Sequence, residues 1–152
     1  DGVPTGGGGG IVQVKQIQHS TSVDYSTNSF SAGTSSGGNF AITITPKFAT
    51  SKILVLCNMC AAGVMQNGGA DAQGLFKLVR GSTDLNEAVN RSYDYGNSGS
   101  IIFGQFLMSW SDSPSTTSAT TYKLQQKCTA GTNVRICEGN VSSLMHLMEI
   151  AQ

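Results

Sequence analysis

Apolar and polar residues alternate with a period of two along most of this chain, and Gly-, Ser- and Asn-rich breaks separate the alternating stretches. FAITITP (40–46) is the cleanest case. Phe40, Ile42 and Ile44 face one way, Ala41, Thr43 and Thr45 the other, and Pro46 stops the strand. TYKLQQKC (121–128) repeats the pattern. IVQVKQIQ (11–18), SKILVLCNMCA (51–61), GLFKLVRGST (74–83), SIIFGQFLMSW (100–110), VRIC (134–137) and SSLMHLMEI (142–150) are the other predicted strands, with a short one around Phe30 inside the polar stretch 20–39. Residues 85–99 read as a long polar connection, and Asp84–Asn90 is the single helical candidate, one weak turn. The spacing predicts an all-β fold, an antiparallel jelly-roll sandwich of about 8–10 strands.

Three strands break the one-sided rule. A two-layer sandwich in water buries one face of each strand. In 100–110, Ile101, Phe103 and Leu107 oppose Ile102, Phe106, Met108 and Trp110. In 53–60, Ile53, Val55, Cys57 and Met59 oppose Leu54, Leu56 and Cys60. In 144–150, Leu144, His146, Met148 and Ile150 oppose Met145 and Leu147. Strands apolar on both sides need a third layer, and no helix is predicted to supply it. Either a second copy of the chain covers the extra face or a long loop folds over it. The first is the expectation, with Ile102, Phe106, Met108, Met145 and Leu147 as contacts between copies. The pattern alone does not separate a two-fold from a three-fold arrangement.

Composition narrows the functions. The chain has 152 residues, long enough for one domain with a real core. Nine basic residues balance nine acidic ones, and charged residues make up only 12%, about half the usual share. No basic tract points to nucleic acid. No apolar run is long enough for a membrane helix, so no membrane insertion is expected. DGVPTGGGGG lacks a basic and an apolar region, so it is not a signal peptide. Residues 1–10 are expected to be a Gly-rich linker or the tail of an upstream region, the chain being a piece of something longer, with 11–152 as the β-sandwich domain. A cloning remnant is the alternative for the glycine run.

The chemistry-bearing residues are few. CNMC (57–60) has the spacing of zinc and redox motifs, but on a strand Cys57 and Cys60 point to opposite faces. Cys128 and Cys137 flank a predicted hairpin at TAGTN (129–133). Pairing them directly would move Ile136 to the polar side, so free thiols are favoured over a disulfide, which only a bulge in the turn would allow. His19, Ser20 and Asp24 lie close together at one strand end, unlike a triad assembled from separate segments. No paired-carboxylate or phosphate-loop signature stands out. The expectation is a protein that is not an enzyme, with no catalytic residue, metal or cofactor. SYDYGNSG (92–99) is the best candidate for binding. Tyr93 and Tyr95 could stack on sugar rings while Asp94 and Asn97 bond hydroxyls; the alternative is that both tyrosines pack on the sandwich edge.

ITITPKFATSKILVL (42–56), FKLVRGST (76–83), DSPSTTSATTYKLQ (112–125) and SSLMHLMEIA (142–151), in this order after a Gly-rich lead-in and IVQVKQ, resemble tail-fibre and other structural proteins of marine and cyanobacterial tailed bacteriophages. The resemblance covers roughly residues 8 to 151, and its motifs are structural. The strand order resembles, more loosely, the jelly roll of tumour necrosis factor and complement-type heads, which implies a homotrimer around a three-fold axis. The four cysteines depart from the phage pattern. The phage resemblance implies a virion protein assembled in the reducing host cytoplasm, with itself, other virion proteins and a host cell-surface glycan or protein as partners. The expected function is a fibre or spike head domain that attaches to the host surface through its loops. The alternative is a purely structural fibre, head-decoration or tail component that contacts only virion proteins; a glycan depolymerase is a third, weaker reading.

Overall fold

The computed structural model describes residues 9–26, 28–31, 40–65, 72–92, 101–130 and 133–152. The fold is all-β. The strands are β1 (Ile11–His19), β2 (Val23–Tyr25), β3 (Ala41–Ile44), β4 (Lys52–Met65), β5 (Ala72–Arg80), β6 (Thr83–Ser92), β7 (Ile101–Asp112), β8 (Thr120–Ala130), β9 (Asn133–Ile136) and β10 (Ser143–Ile150). They form two antiparallel sheets. The first runs β1-β10-β4-β9-β2, with β7 on the other edge of β4, and the second runs β3-β8-β5-β6. Setting aside β2 and β9, the remaining strands nest. First pairs with last (β1 with β10), then β3 with β8, β4 with β7 and β5 with β6. Among the described residues no helix is long and apolar enough to cross a membrane.

The core lies between the sheets. Ile53, Val55, Cys57 and Met59 of β4 and Met145 and Leu147 of β10 are buried against Phe76 and Leu78 of β5 and Tyr122 and Leu124 of β8. β5 crosses so close to β9 that residue 74 must be glycine. A Cβ there would lie 2.5 Å from a Val134 methyl and 3.0 Å from one of Val64.

Buried polar groups close one end of the sandwich. Asp112 on β7 accepts two hydrogen bonds from Arg80 Nη1, at 3.0 and 2.9 Å, and one from the Tyr122 hydroxyl at 2.7 Å, tying the sheets together. Burial, then the hydrogen bond to Asp112, pushes the Tyr122 hydroxyl pKa well up, so it stays a donor at any ordinary pH. In the same cross-strand row, Ile53 pairs with both Asp112 and Glu149. Glu149 is fully buried. It accepts from Gln13 Nε2 (2.6 Å) and from the backbone amides of Lys47 (2.7 Å) and Phe48 (3.2 Å).

Three expectations change. Asp84–Asn90 is not a helical turn and 85–99 is not wholly a connection, because Thr83–Ser92 is edge strand β6. The register slips between Leu78 and Val79, opposite Asn86 and Asp84, so Leu85 bulges and the alternation in the sequence is broken. Second, β8 and β9 do not make a hairpin. β8 pairs with β3 and β5 in one sheet and β9 with β2 and β4 in the other. The chain crosses the sandwich between them, and all four cysteines are free. Third, four of the expected copy-to-copy contacts point inward. Met108, Met145 and Leu147 are core residues, and Phe106 is half-buried against that core with its ring 5.9 Å from Phe76. The fifth, Ile102, pairs with Val64 on β4, and its side chain lies outside the described part.

Candidate interaction face

The second apolar face of the first sheet is the opposite one. Paired residues share a face, so the registers give its rows directly. Ile11, Ile150 and Lys52 form one row, and Val14, Met148, Leu54 and Ser111 the next. Gln16, His146, Leu56 and Ser109 follow, then Gln18, Leu144, Asn58 and Leu107. The two central strands contribute most of the apolar side chains and the edge strands most of the polar ones. Leu107 is 67% exposed, Ile11 63% and Val14 50%, while Leu54, Leu56, Leu144 and Met148 are half-buried. The described loops leave this face open.

Strands about 4.8 Å apart and a length of about seven residues give four strands a projected area of about 450 Å². Accessible area follows the relief of the side chains and exceeds the projection. It comes within reach of the ~800 Å² that each partner contributes to a standard interface. A single exposed leucine needs no explanation; a contiguous face with this many apolar side chains is a candidate interaction site.

The end of the face at its last two rows carries a polar depression. Leu56, Asn58, Gln105, Leu107 and His146 line a depression of about 440 Å³. Gln105 Nε2 donates to Asn58 Oδ1 at 3.0 Å. Among the described residues no charged side chain lines the depression.

The other sequence candidates do not join this site. Tyr93, Asp94, Tyr95 and Asn97 lie outside the described residues. Cys57 is buried on the inner face of β4 while Cys60 is half-buried, and burial pushes the Cys57 thiol well up. Cys137 Sγ donates to Ser143 Oγ at 3.1 Å, and burial raises its pKa too; such thiols are poor nucleophiles. Asp24 is held by a bidentate ion pair with Arg135 rather than by His19. The histidine ring lies 6.0 Å from Phe40. Among the described residues no group of three or more His, Cys, Asp or Glu side chains could hold a metal. The depression at Asn58, Gln105 and His146 was not singled out from sequence. The signal was present in one respect: Asn58 and His146 interrupt otherwise apolar alternating faces, and the register brings them within one row of each other. No protein-family model matches the chain, and no curated protein matches it either.

Proposed function

We propose that this chain is the head domain of a virion fibre or spike, a jelly-roll sandwich assembled as a homotrimer around a three-fold axis, which attaches to a host-surface glycan through its loops without catalysing a reaction. The nested pairing of first strand with last supports the jelly-roll reading. The observation that carries self-association is the open outer face built on β1, β10, β4 and β7. A surface poor in charge and four free thiols suit a particle assembled in a reducing cytoplasm.

Two measurements test the reading. Light scattering of the 152-residue chain should give three times the single-copy mass of 15.8 kDa. Labelled protein should bind host cells and be displaced by free sugar. A trimer that binds no host surface and joins virion subunits instead would establish the purely structural reading. A single-copy mass would remove the basis of both.

A further inference from the structure

We infer that the outer face of the second sheet binds the acidic groups of a sugar chain, carboxylate or sulfate, through Lys123 and Lys127, with the Phe30 ring positioning the Lys127 ammonium. The inference deepens the proposed glycan attachment and rests on that reading. Register defines the face. Ser31 and Gln126 exchange backbone hydrogen bonds at 3.1 and 3.0 Å. The next residues along, Phe30 and Lys127, therefore stand opposite each other, and the row continues through Leu75 to Val89. Gln125, Lys77 and Glu87 form the next row, and Ala41, Lys123 and Val79 the one after.

Lys77 and Lys127 share one ring. Their Nζ atoms lie 4.1 and 4.4 Å from the Phe30 centroid. The ring face attracts each ammonium, while the two like charges repel each other. Lys77 is compensated. Its side chain is only 12% exposed and donates to Asp84 Oδ2 at 2.9 Å, with Glu87 opposite it. Both acids belong to β6, two strands away from β8. Lys123 and Lys127, half-buried on β8, have no acidic partner among the described residues. An anion arriving at Lys127 meets two ammonium groups at once and relieves their repulsion. Four residues along one strand put Lys123 and Lys127 about 13 Å apart. Two widely spaced cations with an amide between them, Gln125, suit a chain that carries an acidic group only now and then. A nucleic-acid strand, with a charge about every 3.4 Å, calls for a denser basic surface than this one.

The test measures binding of the intact chain to polygalacturonate, dextran sulfate, neutral dextran and polyphosphate by biolayer interferometry. The expected result is binding to an acidic polysaccharide that weakens with added salt, with neutral dextran and sugar-free polyphosphate bound at least tenfold more weakly. Preference for polygalacturonate identifies a carboxylate, preference for dextran sulfate a sulfate. Lys123→Gln/Lys127→Gln should weaken that binding about tenfold. Phe30→Leu should weaken it less and leave its salt dependence as in wild type, because no charge is lost. Lys15→Gln/Lys47→Gln, the same loss of charge on exposed lysines elsewhere, should change nothing. Polyphosphate bound as tightly as the polysaccharides, or equal losses in the two double lysine variants, would overturn the inference. A chain that binds no acidic polysaccharide but is displaced from host cells by neutral sugar overturns it and leaves the glycan reading standing. A chain that binds neither polysaccharide nor host cell overturns both.

Discussion

Replacing Glu149 by Gln should lower stability by about 2–4 kcal/mol at pH 7, and the loss should disappear in acid. The carboxylate is 0% exposed, with Oε1 accepting the amides of Lys47 and Phe48 and Oε2 accepting Gln13 Nε2. A glutamine has one acceptor oxygen. If it faces the two backbone amides, its own NH₂ meets Gln13 Nε2. Gln13 cannot simply flip, because that nitrogen also donates to Thr45 O at 2.7 Å. One or two hydrogen bonds to a charged acceptor are lost, each worth about 1.5–3 kcal/mol. For a domain of this size, that lowers Tm by roughly 5–15 °C. Burial raises the pKa of Glu149, but the hydrogen bonds from Gln13 and from the Lys47 and Phe48 amides outweigh it and hold the group below the usual 4.5. A depressed folded-state value means stability that is present above the unfolded value and lost as pH falls through the folded one. Urea melts of wild type and variant at pH 7 and in steps below 4.5 should converge, with unchanged slopes. A variant within 0.5 kcal/mol of wild type at pH 7, or a gap that persists undiminished to pH 3, would refute the argument.

Other substitutions probe the remaining assignments. Tyr122→Phe removes the 2.7 Å hydrogen bond to Asp112 and should cost about 1–2 kcal/mol in urea denaturation, with the Arg80 ion pair left in place. Leu147→Ala empties a fully buried core position and should cost about 2–5 kcal/mol, showing as a lower unfolding midpoint at any protein concentration; a loss seen only through dilution-dependent dissociation would return Leu147 to an interface. Thr43→Asp, on the exposed face of the second sheet, should stay within about 0.5 kcal/mol of wild type and keep the wild-type mass. A thiol reagent at pH 8 should label half-buried Cys60 well before fully buried Cys57, read by peptide mass; the reverse order would mean the faces of β4 are wrongly assigned.

Strand existence was legible wherever one face is greasy and the other wet. Residues 40–46 and 121–128 became β3 and β8 because the pattern there admits one orientation. β6 was missed for a local reason, the bulge at Leu85, and for a second: an edge strand has one neighbour, so TDLNEAVNRS needs few apolar side chains. The hairpin at 129–133 failed differently. Alternation says which residues share a face but not which sheet a strand joins, and β9 is claimed by β4 through Val64 and Val134, both buried.

The doubly apolar strands show the same limit most sharply. Their pattern shows apolar side chains on both faces, and the structure buries one face and leaves the other partly exposed. The pattern could not say which face was which. In β10, Leu144, Met148 and Ile150 are as apolar as Met145 and Leu147, so hydrophobicity alone has no preference. The polar residue on the inner face makes the reading harder still. Glu149 shares a face with Met145 and Leu147 and finds its amide donors only inside, at the turn after Pro46. Water solvates a carboxylate at no cost, and burying one without donors is expensive, so Glu149 read alone argues for the outer face; the backbone amides of Lys47 and Phe48 and the Gln13 side chain make its inward position tolerable, while His146 stays half-buried on the outer face. Those contacts lie about a hundred residues away in sequence, so alternation alone does not say which face turns inward.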